Sequence, residues 1–402
     1  MLISKAVRLK NTLRAGIPGR PDRIFLLLAA ALLLGGLTPV TADPKIKVGF
    51  IYTGTIDDHG WVTKQDEGRK NLEKKLPWVE TTYAESVSEG DVESYIDQMA
   101  DQGAKVIFTM SPTFTDGTIA AASRHRDIIF FNANGYKQAP NVGTYLADTY
   151  QCLYLMGLAA GGLTKTGIVG TVTSYPTPEN VRQTDAFVLG LKAANPKAVL
   201  MVRWLNTWFD VPASKEAGET LLQQGCDVLM NGMDSSTVVQ VCEARHIPAC
   251  GAGNDGAQIA PNSFIMGYVY DWTDPYPILL QQVRDGVITP HNMQNFDQWW
   301  RLSSHAINVY YKPGVLVNPR YKDALSAVQT DDGTGHKISV YDLILKRYDQ
   351  MSADPPQFEP FTGPLVDFDG KLRVAAGQTA SRAELYSMTW RLPGVTGNWP
   401  SQ

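Results

Sequence analysis

The sequence predicts an α/β fold: two Rossmann-like lobes of parallel sheet, flanked by helices and joined by a hinge. Three observations carry this. From residue 46 to about 285, short apolar strands alternate with amphipathic helices, the pattern of βαβ units and parallel sheets. The ten strands exceed one compact sheet, so the chain must divide. Four of the strands end in turns that carry an aromatic or a carboxylate: IKVGFIYTGTIDDHGW (46–61), VIFTMSPTFTD (106–116), VLMVRWLNTWFD (199–210) and IPACGAGND (247–255). In open α/β sheets the ligand crevice lies at those carboxyl ends.

The expected strands are 46–52, 79–84, 105–110, 128–132, 142–146, 167–173, 198–204, 227–231, 247–252 and 264–270. The expected helices are 60–76, 91–102, 115–124, 149–163, 178–194, 212–224, 235–245 and 275–285. Right-handed crossovers place helices on both faces of each sheet. TYQCLYLMGLAAGGL (149–163) is apolar almost all round, as expected of a helix buried at a lobe junction. The chain first crosses between lobes near 147–150. A second crossing falls near 268–274, where YVYDWTDPYP carries two prolines. The first lobe then holds 43–148 and about 271–295, the second 149–270 and about 296–330. Residues 331–402 form an extension with a helix at 339–351 and a hairpin about Asp369-Gly370. QWWRLSSHAINVYY, before it, has no clear period.

Lys5, Arg8, Lys10, Arg14, Arg20 and Arg23 precede the apolar run Ile24–Leu37 and a Val40-x-Ala42 end. This matches a signal peptide cleaved near Ala42; the run falls short of the ~20 residues of a membrane span. No Cys stands at the cleavage site for lipid attachment, so the address is the periplasm. Of the 36 basic and 40 acidic side chains, six and one lie in those first 42 residues, which leaves the remainder at −9. That balance argues against nucleic acid or anionic membrane as partner.

Cys152, Cys226, Cys242 and Cys250 allow at most one disulfide within 226–250, or buried thiols instead. The histidines at 59, 125, 246, 291, 305 and 336 fall at no metal-ligand spacing, and no G-x-S-x-G, Walker or H-E-x-x-H motif occurs. GAGNDG (251–256) satisfies G-x-G-x-x-G, but AQIAPNSF follows where the dinucleotide version needs a helix. No metal, no cofactor and no catalysis is expected.

The turns hold the candidates. Asp57 or Asp58 can cap the helix at 60–76 or face a ligand. Trp61, in the first turn, is placed for a ligand more than for a core. Asp116 is a cap or an acceptor for a ring N–H or exocyclic amine. In LNTWFD, one of Trp208 and Phe209 belongs to the core and the other to a wet or ligand-facing position, beside Asn206 and Asp210. Asp255 ends its strand as a ligand or hinge group. Asp234 and Trp272 complete the candidate set.

KVGFIYTGTIDDHGW, LADTYQCLYLMGLAAGGLTKTGIVGTV, WLNTWFD and GAGND together resemble the basic membrane protein family. These are type I periplasmic binding proteins of ABC transporters, and their better-known members bind purine nucleosides. The likeness covers roughly 45–310 plus the PFTGP segment and is nearest a subgroup for a purine base such as adenine. It implies a monomer whose lobes close on a small ligand and deliver it to a membrane permease or, in the alternative role, report it to a sensor partner. It places base stacking on Trp61 and Trp208, base-edge reading on Asp116, and the ribose-holding carboxylate of nucleoside binders on Asp255. Those binders also carry a Lys in the following strand. Here FIMGYVYDWTDPY has none, which favours a free base.

Overall fold

The computed structural model describes residues 45–58, 60–252 and 256–399. The proposed signal segment, His59 and Asp255 lie outside them. Alternation begins with β1 (Ile46–Ile51), α1 (Trp61–Lys75), β2 (Val79–Ala84), α2 (Val92–Asp101), β3 (Val106–Thr109), α3 (Thr115–Arg124), β4 (Ile129–Ala133) and β5 (Val142–Ala147). It resumes with α4 (Tyr150–Leu163), β6 (Ile168–Thr173), α5 (Pro178–Ala194), β7 (Val199–Trp204), α6 (Val211–Gln223), β8 (Val228–Gly232), α7 (Thr237–Arg245), β9 (Ala249–Ala252), α8 (Gly256–Ile259) and β10 (Phe264–Tyr270). The turn α8 stands where the sequence suggested none, but four residues make no dinucleotide-binding helix.

Then follow α9 (Pro275–Arg284), β11 (Asp297–Trp300), β12 (Ile307–Tyr310), α10 (Lys322–Ala327), β13 (Gln329–Asp331), β14 (Lys337–Ser339), α11 (Val340–Ser352), β15 (Leu365–Val366), β16 (Leu372–Val374), α12 (Arg382–Tyr386) and β17 (Val395–Gly397). One sheet runs β11-β5-β4-β3-β1-β2, the other β12-β10-β9-β8-β6-β7-β17. Each therefore repeats the 2-1-3-4-5 order of a doubly wound sheet. Its crevice lies where the order reverses, between β1 and β3 in one lobe and β6 and β8 in the other.

The central strands of the first sheet are covered by helices on both faces; β3, β4 and β5 are wholly buried, while the margins β2 (VETTYA) and β11 (DQWW) carry polar side chains. The chain crosses between sheets three times. The third crossing differs from expectation. β11 pairs in parallel with β5, Trp299 beside Leu146, so the crossing falls at 301–306 and not near 295.

The location of α4 also differs. It packs inside the second lobe against α5 and beneath α11, so the extension covers the face expected at a lobe junction. A Cβ on Gly157 would strike the Phe187 carbonyl, and one on Gly190 the Tyr154 carbonyl. Glycine at both positions is what lets α4 and α5 touch backbone to backbone. All four cysteine thiols are free and buried. Among the described residues no helix is long and apolar enough to cross a membrane.

Candidate functional site

The crevice is built by the segments that follow β1, β3, β6 and β8. After β1, Asp58 fixes the start of α1. Its Oδ1 accepts from the Gly60 N–H at 2.8 Å and the Thr63 N–H at 2.9 Å, and its Oδ2 from the Val62 N–H at 2.9 Å. Both oxygens are thus committed to capping, and the side chain acts by aiming the first residue of α1. That residue is Trp61, whose Nε1–H donates to the Met110 carbonyl beyond β3 at 3.0 Å. Its ring stands edge-on to Tyr270, centroids 4.9 Å apart, and to Trp272 at 5.8 Å.

Trp272 is 1% exposed and stacks between Tyr270 and Tyr276 at 6.0 and 5.4 Å. It supports the wall from behind and offers no ligand surface, contrary to its place in the candidate set. Tyr268 and Tyr270 share one face of the hinge strand β10, where side chains repeat every two residues. Burial holds both hydroxyls protonated, their pKa pushed well up.

From the second lobe come Glu179, in the first turn of α5 after β6, and Asp234, after β8. Burial, foremost, pushes the Glu179 carboxyl up to about 7; Asp148 and Asp234 add to this, while Arg182 and a hydrogen bond from Asn134 oppose it. Asp234 reaches water yet is walled by protein. The surrounding protein and the facing Asp58 push its carboxyl up, against the solvent that this exposed side chain meets. Arg182, almost wholly buried, is bound to Asp148 at 2.9 Å, so its charge is neutralised locally.

Two of the contacts between the lobes lie across the crevice. Asn134, after β4, donates its Nδ2–H to Glu179 Oε2 at 3.1 Å. A Cβ on Gly60 would stand 3.4 Å from the Asp234 carbonyl. The wall is thus closed and shared.

Trp208 follows β7, one strand further from the crevice centre. It is 39% exposed and touches Tyr175 with centroids 5.3 Å apart, and its carbonyl accepts from the Asp234 N–H at 3.1 Å. Phe209 is 58% exposed, so neither aromatic of LNTWFD enters the core. Asn206 is exposed and holds a positive φ of 54°. Asp210 caps α6 through the Ala213 N–H at 2.9 Å.

Asp116 lies on the surface at the start of α3, bound to Lys137 at 2.6 Å. The structure therefore brings Asp58, Trp61 and Asp234 together, sets Trp208 and Asn206 at the rim, and leaves Asp116 on an exposed ion pair. Sequence reasoning passed over Asn134, Glu179, Tyr268 and Tyr270. For Glu179 the signal was available: a carboxylate in the first helical turn after β6, beside the reversal of strand order.

Comparison with known proteins agrees with this architecture. The family model described as ABC transporter substrate-binding protein PnrA-like matches residues 45–331. A purine-binding protein of Brucella abortus is 32% identical over 379 residues, 94% of this chain and 100% of that one. A putative ABC transporter glucose-binding protein of Haloferax volcanii is 30% identical over 284 residues, 71% of each chain. Among solved structures, an ABC transporter solute-binding protein from Conexibacter woesei superposes with a TM-score of 0.59 at 20% identity, covering 78% of this chain and 100% of that one; at that identity the likeness concerns the fold. With most of its length matched, the chain belongs to the PnrA-like family of ABC transporter substrate-binding proteins.

Proposed function

We propose that this protein is an exported, monomeric receptor that captures a purine base, adenine-like, between its lobes and delivers it to an ABC permease without chemical change. The observation that carries this reading is the composition of the crevice. Its walls are aromatic (Trp61, Tyr268 and Tyr270, with Trp208 at the rim), and its polar groups are Glu179, Asp234 and Asn134. A flat heteroaromatic ring with N–H groups on its edge suits such a surface. The purine-binding protein of Brucella abortus supports the same class.

Free base is preferred over nucleoside on two grounds. β10 carries tyrosines and no lysine where nucleoside binders hold the sugar. The nearby cation, Arg182, is already engaged by Asp148. Stacking on two aromatic faces supplies ~2–6 kcal/mol, against ~8 kcal/mol for micromolar affinity. Edge hydrogen bonds must provide the remainder and the selectivity.

Calorimetric titration with adenine, guanine, hypoxanthine, adenosine, guanosine and glucose tests the reading. Tight binding of one base without its nucleoside is the expected result. Binding of a nucleoside at equal strength would refute the base preference, and binding of glucose alone would refute the purine class.

A further inference from the structure

Asn134 has an unusual position. It lies in the first lobe just after β4, with φ of 54°, a region that non-glycine residues enter rarely and often at functional sites. Its backbone N–H donates to the Tyr145 carbonyl at 2.7 Å, which ties the turn to the neighbouring strand. Its side-chain Nδ2 donates across the cleft to Glu179 Oε2 at 3.1 Å, while Glu179 Oε1 accepts from Gln183 Nε2 at 3.3 Å. An amide has two ends, and which end points where follows from the partners it meets. Above pH 7, with Glu179 ionised, both its oxygens can only accept, so there the Asn134 amide is fixed with its nitrogen toward the second lobe. The other end, Asn134 Oδ1, is buried and has no hydrogen-bond partner among the described residues. Buried acceptors are almost always satisfied.

We propose that Asn134 is a specificity-determining acceptor for the exocyclic amine of an amino-purine, and that Glu179 is the positioning residue that aims it when the lobes close. The inference rests on the purine reading above and extends it to the choice among bases. In an open form the Asn134 amide can turn either way and would accept from an amine or donate to an oxo group equally. Contact with ionised Glu179 removes that freedom. The first lobe supplies the reading atom and the second lobe supplies its orientation, so selection among bases takes place on closure. A 6-amino group offers two donors to Oδ1; a 6-oxo group offers none and would face the acceptor with its own lone pairs.

The test is calorimetry with two probes, adenine and unsubstituted purine, which share the ring and differ in the amine. Wild type should prefer adenine by about tenfold or more, the gain from one well-made buried hydrogen bond. Asn134→Ala should abolish most of that preference while unsubstituted purine keeps its affinity within about threefold. Glu179→Gln, nearly isosteric, lets the Asn134 amide pair in either sense and should also compress the ratio. The ratio is read on whatever fraction is folded, so a loss of stability moves both probes equally and leaves it unchanged. Equal losses for both probes in Asn134→Ala and Glu179→Gln would overturn the proposal, as would a wild type that does not distinguish them. A wild type that ignores every purine overturns the purine reading, and this inference with it.

Discussion

The two tryptophans of the crevice are held in opposite ways. Trp61 is tied by its Nε1 to Met110, backed edge-on by Tyr270 and Trp272, and mounted on a helix start that Asp58 secures through both of its oxygens. Trp208 has one ring partner among the described contacts, sits in a loop that passes through a left-handed Asn206, and neighbours the exposed Phe209. The first lobe thus presents a preformed surface, the second an adaptable one. Ordering a side chain on binding costs about 0.5–1.5 kcal/mol, and in the proposed binding mode that cost falls on the second lobe.

The contrast can be broken most forcefully at its root. Trp272→Ala removes the buried ring behind Trp61 and should lower unfolding free energy by about 3–5 kcal/mol. Denaturant titration measures it, and a loss under 1 kcal/mol would mean that the wall does not depend on this stack. Trp61→Ala should weaken adenine at least about tenfold, or ~1.4 kcal/mol of lost stacking, and should also lower the unfolding midpoint. Trp208→Ala, by comparison, should weaken adenine by up to about tenfold while stability stays within ~0.5 kcal/mol. If it destabilises the fold as much as Trp61→Ala, the difference between the walls disappears.

A pH series sharpens the same point from the electrostatic side. The Glu179 carboxyl is raised to about 7 by burial above all. The folded protein therefore holds this proton more tightly than the unfolded chain does. Its contribution is fully present below the ordinary carboxylate range and is lost as pH rises through 7. Melting temperature should fall between pH 5 and pH 8, Asp234 acting in the same direction, and Glu179→Gln should flatten the slope. A melting temperature that rises across this window in wild type and variant alike would contradict the assignment. The smallest effect belongs to Asp116→Asn, expected to change adenine affinity by less than about threefold because the carboxylate lies on a solvent-exposed pair with Lys137. A larger loss would return Asp116 to the base-reading role.

The alternation from β1 to β10 was legible almost residue by residue, since each element there is buried on a face set by its own period. α5, for example, was expected over 178–194, its observed span. β11 was not legible: its four residues are all half-buried, so DQWW shows no alternation, and its partner β5 is 153 positions away, Asp297 beside Thr144. β17, whose partner β7 also lies far back along the chain, was hidden in the same way. In the site, the aromatics were visible from their place at turns. The polar groups were harder, because a carboxylate after a strand can cap a helix or face a cleft. Asp58 and Asp210 cap; Asp234 and Glu179 face the cleft. What separates them is the strand order, which no local pattern contains.

The last strand has a consequence for how the protein is made. β17 is a three-residue parallel partner of β7, with Val395 beside Leu200, and without it β7 is a bare sheet margin. A ribosome adding about 5–20 residues per second needs roughly 10–40 s to go from one to the other. Through that interval the β7 backbone is open to any extended segment that meets it, the situation that breeds intermolecular pairing. β17 therefore acts as a seal: a chain that lacks 395–397 leaves the crevice segments formed beside an open sheet margin, and their arrival shields it.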